Sequence, residues 1–423
     1  MARTPHDPVA ALLRQTPLPK AVRADAWDAF HRAKTPDDLT PRLHKLPLPT
    51  LVRAHLWDLK HKHTTKREAS MGPRESKYGR GGARLPDDAE PRRLSRDPRE
   101  APGAVSTFLA EHFRHFNAAT LHDAAEAYNA HIAKGGQMLV SLAGAMSTAE
   151  LGRCLAPMIR ANKIHAISCT GANLEEDLFN LVAHDEYERM PDYHELTSTD
   201  DAALATRNIN RVTDTGIPEQ AAMTPIEEAV TALWKRNRAN GVRVFPHEIL
   251  YELIERKTLE AQYQGDPANS WLVAAQEAHL PIVVPGWEDS TLGNVFAAEC
   301  LAGTYPPTMV KGGIEYMMTL AGWYQHTSKD HPMGFCQIGG GIAGDFSICV
   351  VPLLAQDAKV TGVPKWQYFV QFTDADETMG GYSGALPNEK ASWGKLPPDA
   401  PMFNVKGDAT ISFPLLCALV LRW

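Results

Sequence analysis

The chain of 423 residues lacks several short motifs that commonly identify a catalytic or binding site. It contains no GxxxxGK[S/T] phosphate loop, no HExxH zinc motif and no GxSxG nucleophile elbow. Its 17 histidines form no comparable set of metal ligands. We therefore expect no metal centre and no serine-hydrolase chemistry.

Cysteine and long apolar runs are also scarce. The six cysteines include no CxxC pair, and several lie within apolar stretches, which is typical of buried thiols in a reducing compartment. No apolar run approaches the roughly 20 residues that a membrane span requires. Prolines and charges interrupt the N-terminal stretch, so it has no signal-peptide core. These absences predict a cytoplasmic protein.

The composition is that of an ordinary globular protein, with 44% hydrophobic and 22% charged residues. The length exceeds that of one typical domain and allows a large core. The formal net charge of −7 argues against bulk nucleic-acid binding and suits small cationic substrates.

The chain is expected to contain three regions. Residues 1–65 carry an internal repeat, since 17–28 and 47–58 share the pattern PLP, VRA and WD, and each copy predicts a helix with Val and Trp on one face. This helical extension is either a docking or regulatory unit or a stabilising appendage. Residues 66–103, rich in Lys and Arg without hydrophobic periodicity, predict a basic flexible linker.

Residues 104–423 alternate strands with helices, the pattern of a parallel sheet with crossover helices. A helix is predicted from Phe108 to Ala133, and Thr148 is a suitable N-cap for a helix reaching about Ala161. A closing helix is predicted over Leu415–Leu421. The predicted strands are Met138–Leu142, Ile164–Cys169, Ile282–Val284, Gly334–Ile338, Tyr368–Phe372 and Phe403–Val405.

Small-residue turns follow three of these strands, at Ala143–Thr148, Thr170–Asn173 and Gly339–Gly341. Each turn places backbone N–H groups near a possible helix start, where an anion is favoured. Asp289 and Asp408 stand at strand ends, where a carboxylate commonly holds ribose hydroxyls. Together these features predict a phosphate-containing ligand at one edge of the sheet.

The stretch Ser383–Lys395, with the sequence SGALPNEKASWGK, is the sharpest candidate for covalent chemistry. A lysine is nucleophilic only when unprotonated, so its usual pKa of about 10.4 must be lowered by desolvation or by nearby cations. Trp393 would supply desolvation, and Glu389 would supply a carboxylate for a cationic substrate. Such an amine is suited to imine formation. On these local features alone, a surface lysine in a loop is the alternative.

Five ordered segments over residues 105–423 resemble the deoxyhypusine synthase family. Ser383–Lys395 is similar to the segment that carries that family's active-site lysine. Further segments similar to family motifs are Thr170–Leu178, Asp289–Gly293, Gly339–Gly341 and Asp408–Leu416.

The resemblance implies a Rossmann-like NAD-binding fold and a homotetramer with active sites at subunit interfaces. It also implies transfer of an aminobutyl unit from a polyamine such as spermidine through a lysine imine. Carried onto this sequence, Lys395 is the covalent lysine, and Glu389 and Trp393 bind the substrate. The implied cofactor contacts are Thr148, Thr170, Glu176, Asp289, Gly339, Gly340, Asp374, Ser383 and Asp408.

The resemblance fails at several substrate positions. Phe346 stands where the family has a histidine, and Asn294 and Tyr382 stand where it has aspartates. A pocket that loses carboxylates loses affinity for a polycation, for which Asp345, Asp374 or Glu377 would have to compensate.

This pattern is most similar to the bacterial deoxyhypusine synthase-like group. It predicts homospermidine-synthase-like transfer to a small amine such as putrescine. One alternative is an authentic deoxyhypusine synthase that modifies a lysine of a translation factor. The other is a catalytically idle NAD-binding regulatory protein.

Overall fold

The computed structural model describes residues 9, 13, 20–34, 36–43, 45–46, 56, 59–60 and 102–423. Its contacts divide the chain into two units, Met1–Ala101 and Pro102–Trp423. In the described part of the chain, no helix is long and apolar enough to cross a membrane.

The first unit contains helix α1 (Lys20–Arg32) and helix α2 (Pro36–Leu43). Helix α1 is the helix expected from the first copy of the repeat, and its Val22 and Trp27 pack partly buried against an apolar cluster. Most of the second copy and all of residues 66–101 lie outside the described residues. The buried members of the cluster are Val9, Leu13, Ala26, Phe30, Ala33, Leu39, Leu43 and Leu56.

The second unit alternates strands and helices along most of its length. Its helices are α3 (Ala104–His112), α4 (Phe116–Ala133), α5 (Gly152–Arg160), α6 (Gly171–Ala183), α7 (Ser198–Thr206), α8 (Thr224–Ala239), α9 (Pro246–Glu255), α10 (Trp271–Glu277), α11 (Thr291–Leu301), α12 (Gly313–Thr327), α13 (Gly341–Ile348), α14 (Val350–Pro352), α15 (Glu389–Ser392) and α16 (Ala409–Leu421). Its strands are β1 (Gln137–Leu142), β2 (Ala166–Cys169), β3 (Glu188–Arg189), β4 (Ile209–Val212), β5 (Thr215–Pro218), β6 (Ile282–Val283), β7 (Met333–Ile338), β8 (Tyr368–Thr373) and β9 (Met402–Lys406).

Six strands form one parallel sheet in the order β6-β2-β1-β7-β8-β9. Along the chain, β1, β2 and β6 follow one another from the centre to one edge, and β7, β8 and β9 follow from the centre to the other edge. This is the strand order of dinucleotide-binding α/β folds. The order reverses between β1 and β7, and in such sheets ligands bind outside the carboxyl ends of the strands near that point. The predicted α/β fold with a parallel sheet is confirmed.

The central strands are mainly apolar because both faces of the sheet are covered. All six residues of β7 and all six of β8 are buried. On one face, the Tyr368 hydroxyl donates to the Ala124 carbonyl of α4, and Phe372 packs edge-on against Phe413 of α16. Parallel strands that are covered on both faces have nearly continuous apolar sequences, and for this reason they were recognisable in the sequence.

The other face carries a row of polar side chains, one from each of five adjacent strands. Because the residues are paired in register, their side chains lie on the same side of the sheet. This polar row consists of Ser168, Ser141, Gln337, Gln371 and Asn404. Helix α13 covers part of it, with the Ser168 hydroxyl donating to the Ala343 carbonyl at 2.6 Å.

Three features differ from the sequence prediction. The helix expected from Phe108 to Ala133 is two helices, because Phe113 closes α3 and the extended backbone of His115 begins α4. Thr148 is not an N-cap: α5 begins at Gly152, and the Thr148 hydroxyl donates to the Glu176 carboxylate instead. The closing helix begins at Ala409, where the Asp408 carboxylate accepts from the Thr410 N–H, so it includes Pro414.

The polar stretch after α6 also holds a small antiparallel sheet that the sequence did not predict. Its strands lie in the order β3-β5-β4. They are two to four residues long and carry charged residues such as Glu188 and Arg211, so no apolar alternation marked them.

Candidate active site

The predicted site residues follow the carboxyl ends of the six parallel strands. By strand, they are Thr148 after β1, Thr170 and Glu176 after β2, Asp289 and Asn294 after β6, Gly339, Gly340, Asp345 and Phe346 after β7, Asp374, Tyr382, Ser383, Glu389, Trp393 and Lys395 after β8, and Asp408 after β9. In the sequence each of them follows a strand that ends at this edge, although the main chain of Lys395 lies beside Trp366, which precedes β8. Their roles stay predictions.

Hydrogen bonds tie the turn after β1 to the start of α6. The Thr170 hydroxyl and the Asn173 amide both donate to the Gly144 carbonyl at 2.7 Å. The Thr148 hydroxyl donates to Glu176 Oε2 at 2.7 Å. Burial raises the pKa of Glu176 to about 7, against the opposing effect of that hydrogen bond. Asn173, which the sequence reading did not select, fixes the geometry of this turn.

The glycine turn after β7 brings two parts of the chain into close contact. Gly339 and Gly341 have positive φ angles of 71° and 60°. A Cβ atom added to Gly340 would lie 2.6 Å from the Cα of Ser383, so only glycine admits Ser383 here. The glycine turn therefore seats the start of the 383–395 segment at the carboxyl edge of the sheet.

A fourth glycine, Gly344, lies just beyond this turn in α13. A Cβ at Gly344 would lie 3.0 Å from Tyr382 and 3.1 Å from Gln337, so its absence lets α13 pack closely on the sheet. Gly339, Gly341 and Gly344 have the spacing GxGxxG, between a strand and a helix. From the sequence we took a GxGxxG fingerprint to be absent and treated the three consecutive glycines only as a phosphate turn, which is wrong, because the spacing overlaps those glycines.

The 383–395 segment descends from the edge along the face of the sheet that carries the polar row. At its upper end Ser383 abuts Gly340. Lys390 lies over β8, with its Nζ 3.3 Å from Gln371 Oε1. At its lower end the Lys395 carbonyl accepts from the N–H of Trp366, which precedes β8. Lys395 is thus placed beside α13, below the carboxyl edge.

The Lys395 amine is buried against one carboxylate. Its Nζ lies 2.8 Å from Asp345 Oδ1, and the two side chains are 7% and 48% exposed. The same carboxylate oxygen accepts from the Cys349 thiol at 3.4 Å. Asp345 therefore pairs with the buried amine while its half-exposed carboxylate stays open to solvent, where a second cation can reach it.

Aromatic rings flank the same amine. The Lys395 Nζ lies 5.5 Å from the ring centroid of Tyr382 and 5.9 Å from that of Trp393. Trp393 is 67% exposed, so within one chain it covers the amine on one side only. The Tyr382 hydroxyl donates to Gln337 Oε1 at 2.8 Å, and burial raises the pKa of Tyr382 well above its usual value. Tyr382 is therefore a neutral wall between the segment and the polar row.

Lys390 is a second buried lysine that the sequence reading passed over. Its Nζ lies 4.7 Å from the Phe369 ring centroid and 5.1 Å from that of Tyr382. Burial, followed by the charge of Lys395, lowers the pKa of Lys390 to about 8. No signal in the local sequence could have shown this, because the burial depends on side chains of β8 and the Tyr382 loop.

Other predicted residues stand apart from this amine. The Asn294 amide on α11 donates to the carbonyl of Ser290, which precedes that helix, and Glu389 Oε1 accepts from the Leu386 N–H. Asp289 and Asp374 are exposed at the ends of β6 and β8, and Phe346 is half-buried on α13. Glu377 pairs with Lys406 at 3.3 Å. Among the hydrogen bonds and ion pairs of the described residues, Lys395 is joined to Asp345 and to none of these six.

Comparison with known proteins identifies the family. The family model for deoxyhypusine synthase matches residues 109–420. A relative from Archaeoglobus fulgidus named probable deoxyhypusine synthase 1 is 29% identical over 309 residues, which cover 72% of this chain and 90% of that protein. A relative from a Cyanothece strain named deoxyhypusine synthase-like protein is 29% identical over 330 residues, which cover 75% of this chain and 79% of that protein. The chain belongs to the deoxyhypusine synthase family.

Proposed function

We propose that this chain is an NAD-dependent transferase that moves an alkylamine unit from a polyamine to a small amine acceptor through an imine on Lys395. The observation that carries the proposal is the buried Lys395 amine held 2.8 Å from Asp345 on the segment that begins at the glycine turn. In such a pair the carboxylate can bind a substrate ammonium group, and the amine, when neutral, can form an imine.

The residues at the carboxyl edge fit a dinucleotide. The turn that links β7 to α13 has the three glycines in the arrangement such a ligand uses: a sharp turn at Gly339, room for a pyrophosphate at Gly341, and close helix packing at Gly344. Asp374 ends the adjacent strand β8, where a carboxylate can accept from ribose hydroxyls. Thr148, in the turn after β1, and Glu176, on α6 after β2, lie across the switch point.

The cofactor, when bound, would accept a hydride from the donor carbon and later return it to the product, so the overall reaction is not a net oxidation. The chain's own task is to hold the carbon unit between those two steps. The neutral Lys395 amine attacks the imine carbon, the donor nitrogen leaves as an amine, and the acceptor amine later displaces Lys395 in the same way. Asp345 accepts the proton that each exchange releases, or it pairs with the ammonium group that the exchange forms.

The altered substrate positions favour a small acceptor over a protein lysine. Asn294 and Tyr382 cannot pair with an ammonium group as a carboxylate would, and Tyr382 is already bonded to Gln337. Asp345 is the carboxylate that contacts Lys395, so it is the remaining candidate for positioning a cationic donor next to the amine.

Assembly into a homotetramer with interface sites is part of the proposal. Phe116, Leu301 and Ile314 expose large apolar side chains, which supports association. Light scattering coupled to size exclusion tests this part, since a monomeric mass at micromolar concentration would contradict it.

Product analysis tests the proposed reaction. The full chain is incubated with NAD and a panel of diamines and polyamines, and new amines are identified by mass spectrometry. A product that joins a donor alkylamine unit to an acceptor amine is expected. It should be lost in Lys395→Arg, which keeps the charge beside Asp345, and retained in Lys359→Arg, which alters an exposed lysine. Absence of product with every amine would refute the transfer, and labelled spermidine entering a protein acceptor would favour the authentic synthase.

A further inference from the structure

Cys154 and Cys417 are two free thiols that contact each other across neighbouring helices. Cys154 lies half-buried in the first turn of α5, and Cys417 is fully buried on α16. The two helices pack against each other, and the two side chains are hydrogen-bonded. Helix α5 follows the turn that carries Thr148, and α16 begins directly after Asp408, so both helices start beside predicted cofactor contacts.

Cys154 differs chemically from the other five cysteines, all of which lie in the described part of the chain. The hydrogen bond from Cys417 is the largest cause of the lowered pKa of Cys154, and the charge of Arg153 acts in the same direction, whereas burial opposes both. A lowered pKa raises the fraction of thiolate, which is the form that reacts with oxidants. Burial raises the pKa values of the other five, which are Cys169, Cys300, Cys336, Cys349 and Cys417.

We propose that Cys154 and Cys417 form a peroxide-sensitive pair, in which Cys154 is oxidised first and Cys417 then closes a disulfide bond between α5 and α16. Redox-sensitive cysteines combine thiolate character and access to solvent with a second thiol close by, and this pair has all three features. The bond covalently joins two helices that border the candidate site. The proposed transfer uses neither sulfur, so the inference goes beyond that function and does not depend on it.

The oxidation proceeds in two steps, with hydrogen peroxide as the oxidant. The Cys154 thiolate attacks one peroxide oxygen, the O–O bond breaks, and the products are a sulfenic acid on Cys154 and hydroxide, which takes up a proton to form water. The Cys417 sulfur then attacks the Cys154 sulfur, an S–S bond forms as the S–O bond breaks, and the Cys417 proton leaves with the hydroxyl group as a second water. Two thiols thus lose two electrons in total, and one peroxide becomes two waters.

Peptide mapping of the full-length protein tests the proposal without cofactor or substrate. The reduced protein is treated with an equimolar amount of hydrogen peroxide at neutral pH, blocked with N-ethylmaleimide, digested without reductant and examined by mass spectrometry. We expect a peptide pair linked through Cys154 and Cys417 as the main oxidation product, and we expect dithiothreitol to abolish it.

Three variants assign the roles of the two thiols. In Cys417→Ser, the sulfenic acid on Cys154 should accumulate, and dimedone should trap it. In Cys154→Ser, Cys417 should remain a thiol, because burial keeps it protonated. Cys300→Ser is the matched control, since it removes another half-buried thiol and should leave the yield of the linked pair unchanged.

Oxidation of Cys154 to sulfinic acid while Cys417 stays a free thiol would overturn the proposal. Oxidation of Cys300 or Cys349 ahead of Cys154 would also overturn it, because that order contradicts the special reactivity of Cys154. The unsubstituted protein gives both results by itself, so the proposal remains testable even if a variant does not fold. The assay measures no turnover, and its outcome is therefore separate from that of the proposed transfer.

Discussion

Replacing Gly340 with alanine should displace the whole lysine segment. The added Cβ would lie 2.0 Å from the Ser383 Oγ and 2.6 Å from both Cα and Cβ of Ser383, while ordinary contact begins at 3.4 Å. Rotating the Ser383 side chain cannot relieve contacts to its Cα, so the backbone must shift by on the order of 1 Å. Misplacement of that size is known to reduce activity about 100-fold.

Gly381→Ala is the matched control for this experiment. Gly381 lies in the same loop, and a Cβ there would meet nothing within 4 Å. The assay is product formation from NAD and the most active amine pair, with the thermal midpoint measured in parallel. Gly340→Ala is expected to lose about 100-fold in rate and about 1–3 kcal/mol of stability, and Gly381→Ala should lose neither. Equal rates in the two variants would refute the reasoning that the glycine turn positions the lysine segment.

Two further predictions concern stability. Glu176→Gln should raise the free energy of unfolding at pH 8 by on the order of 2 kcal/mol. Burial raises the pKa of Glu176 to about 7, above its value of 4.5 in the unfolded chain, so this carboxyl's contribution to stability falls as pH rises from 4.5 to 7. Thermal midpoints measured across that range should vary less with pH in the variant, and an unchanged slope would contradict this. Phe413→Ala should cost about 3–5 kcal/mol because its ring is fully buried against Phe372, whereas Ile411→Ala on the exposed side of α16 should cost under about 0.5 kcal/mol; urea unfolding distinguishes them.

The parallel sheet was predictable because its strands are short apolar runs that end in small residues. Met138–Leu142 and Tyr368–Phe372 were located within a residue of the strand bounds. The break between α3 and α4 was not predictable, since no glycine or proline stands at 113–115. Thr148 has the sequence signature of a helix cap, but a buried carboxylate 28 positions later binds its hydroxyl more favourably.

The parts of the candidate site that lie within short sequence motifs could be selected from the sequence. Lys395, the glycine turn and the strand-end acids follow from local sequence and its resemblance to a family. Asp345 was named only as a possible substitute carboxylate, and its contact with Lys395 depends on how α13 packs beside the 383–395 segment. Lys390 and Gln337 gain their surroundings from the register of β7, β8 and β9, which no local pattern specifies.

Borohydride trapping on Lys395 tests the central claim most directly. The full-length protein is incubated with NAD and each active amine, reduced with borohydride, digested and searched for alkylamine mass on every lysine. We predict an adduct on Lys395 that requires NAD and is absent from Lys395→Arg, with exposed Lys359 unmodified. An adduct confined to other lysines, or turnover with no adduct on Lys395, would contradict it.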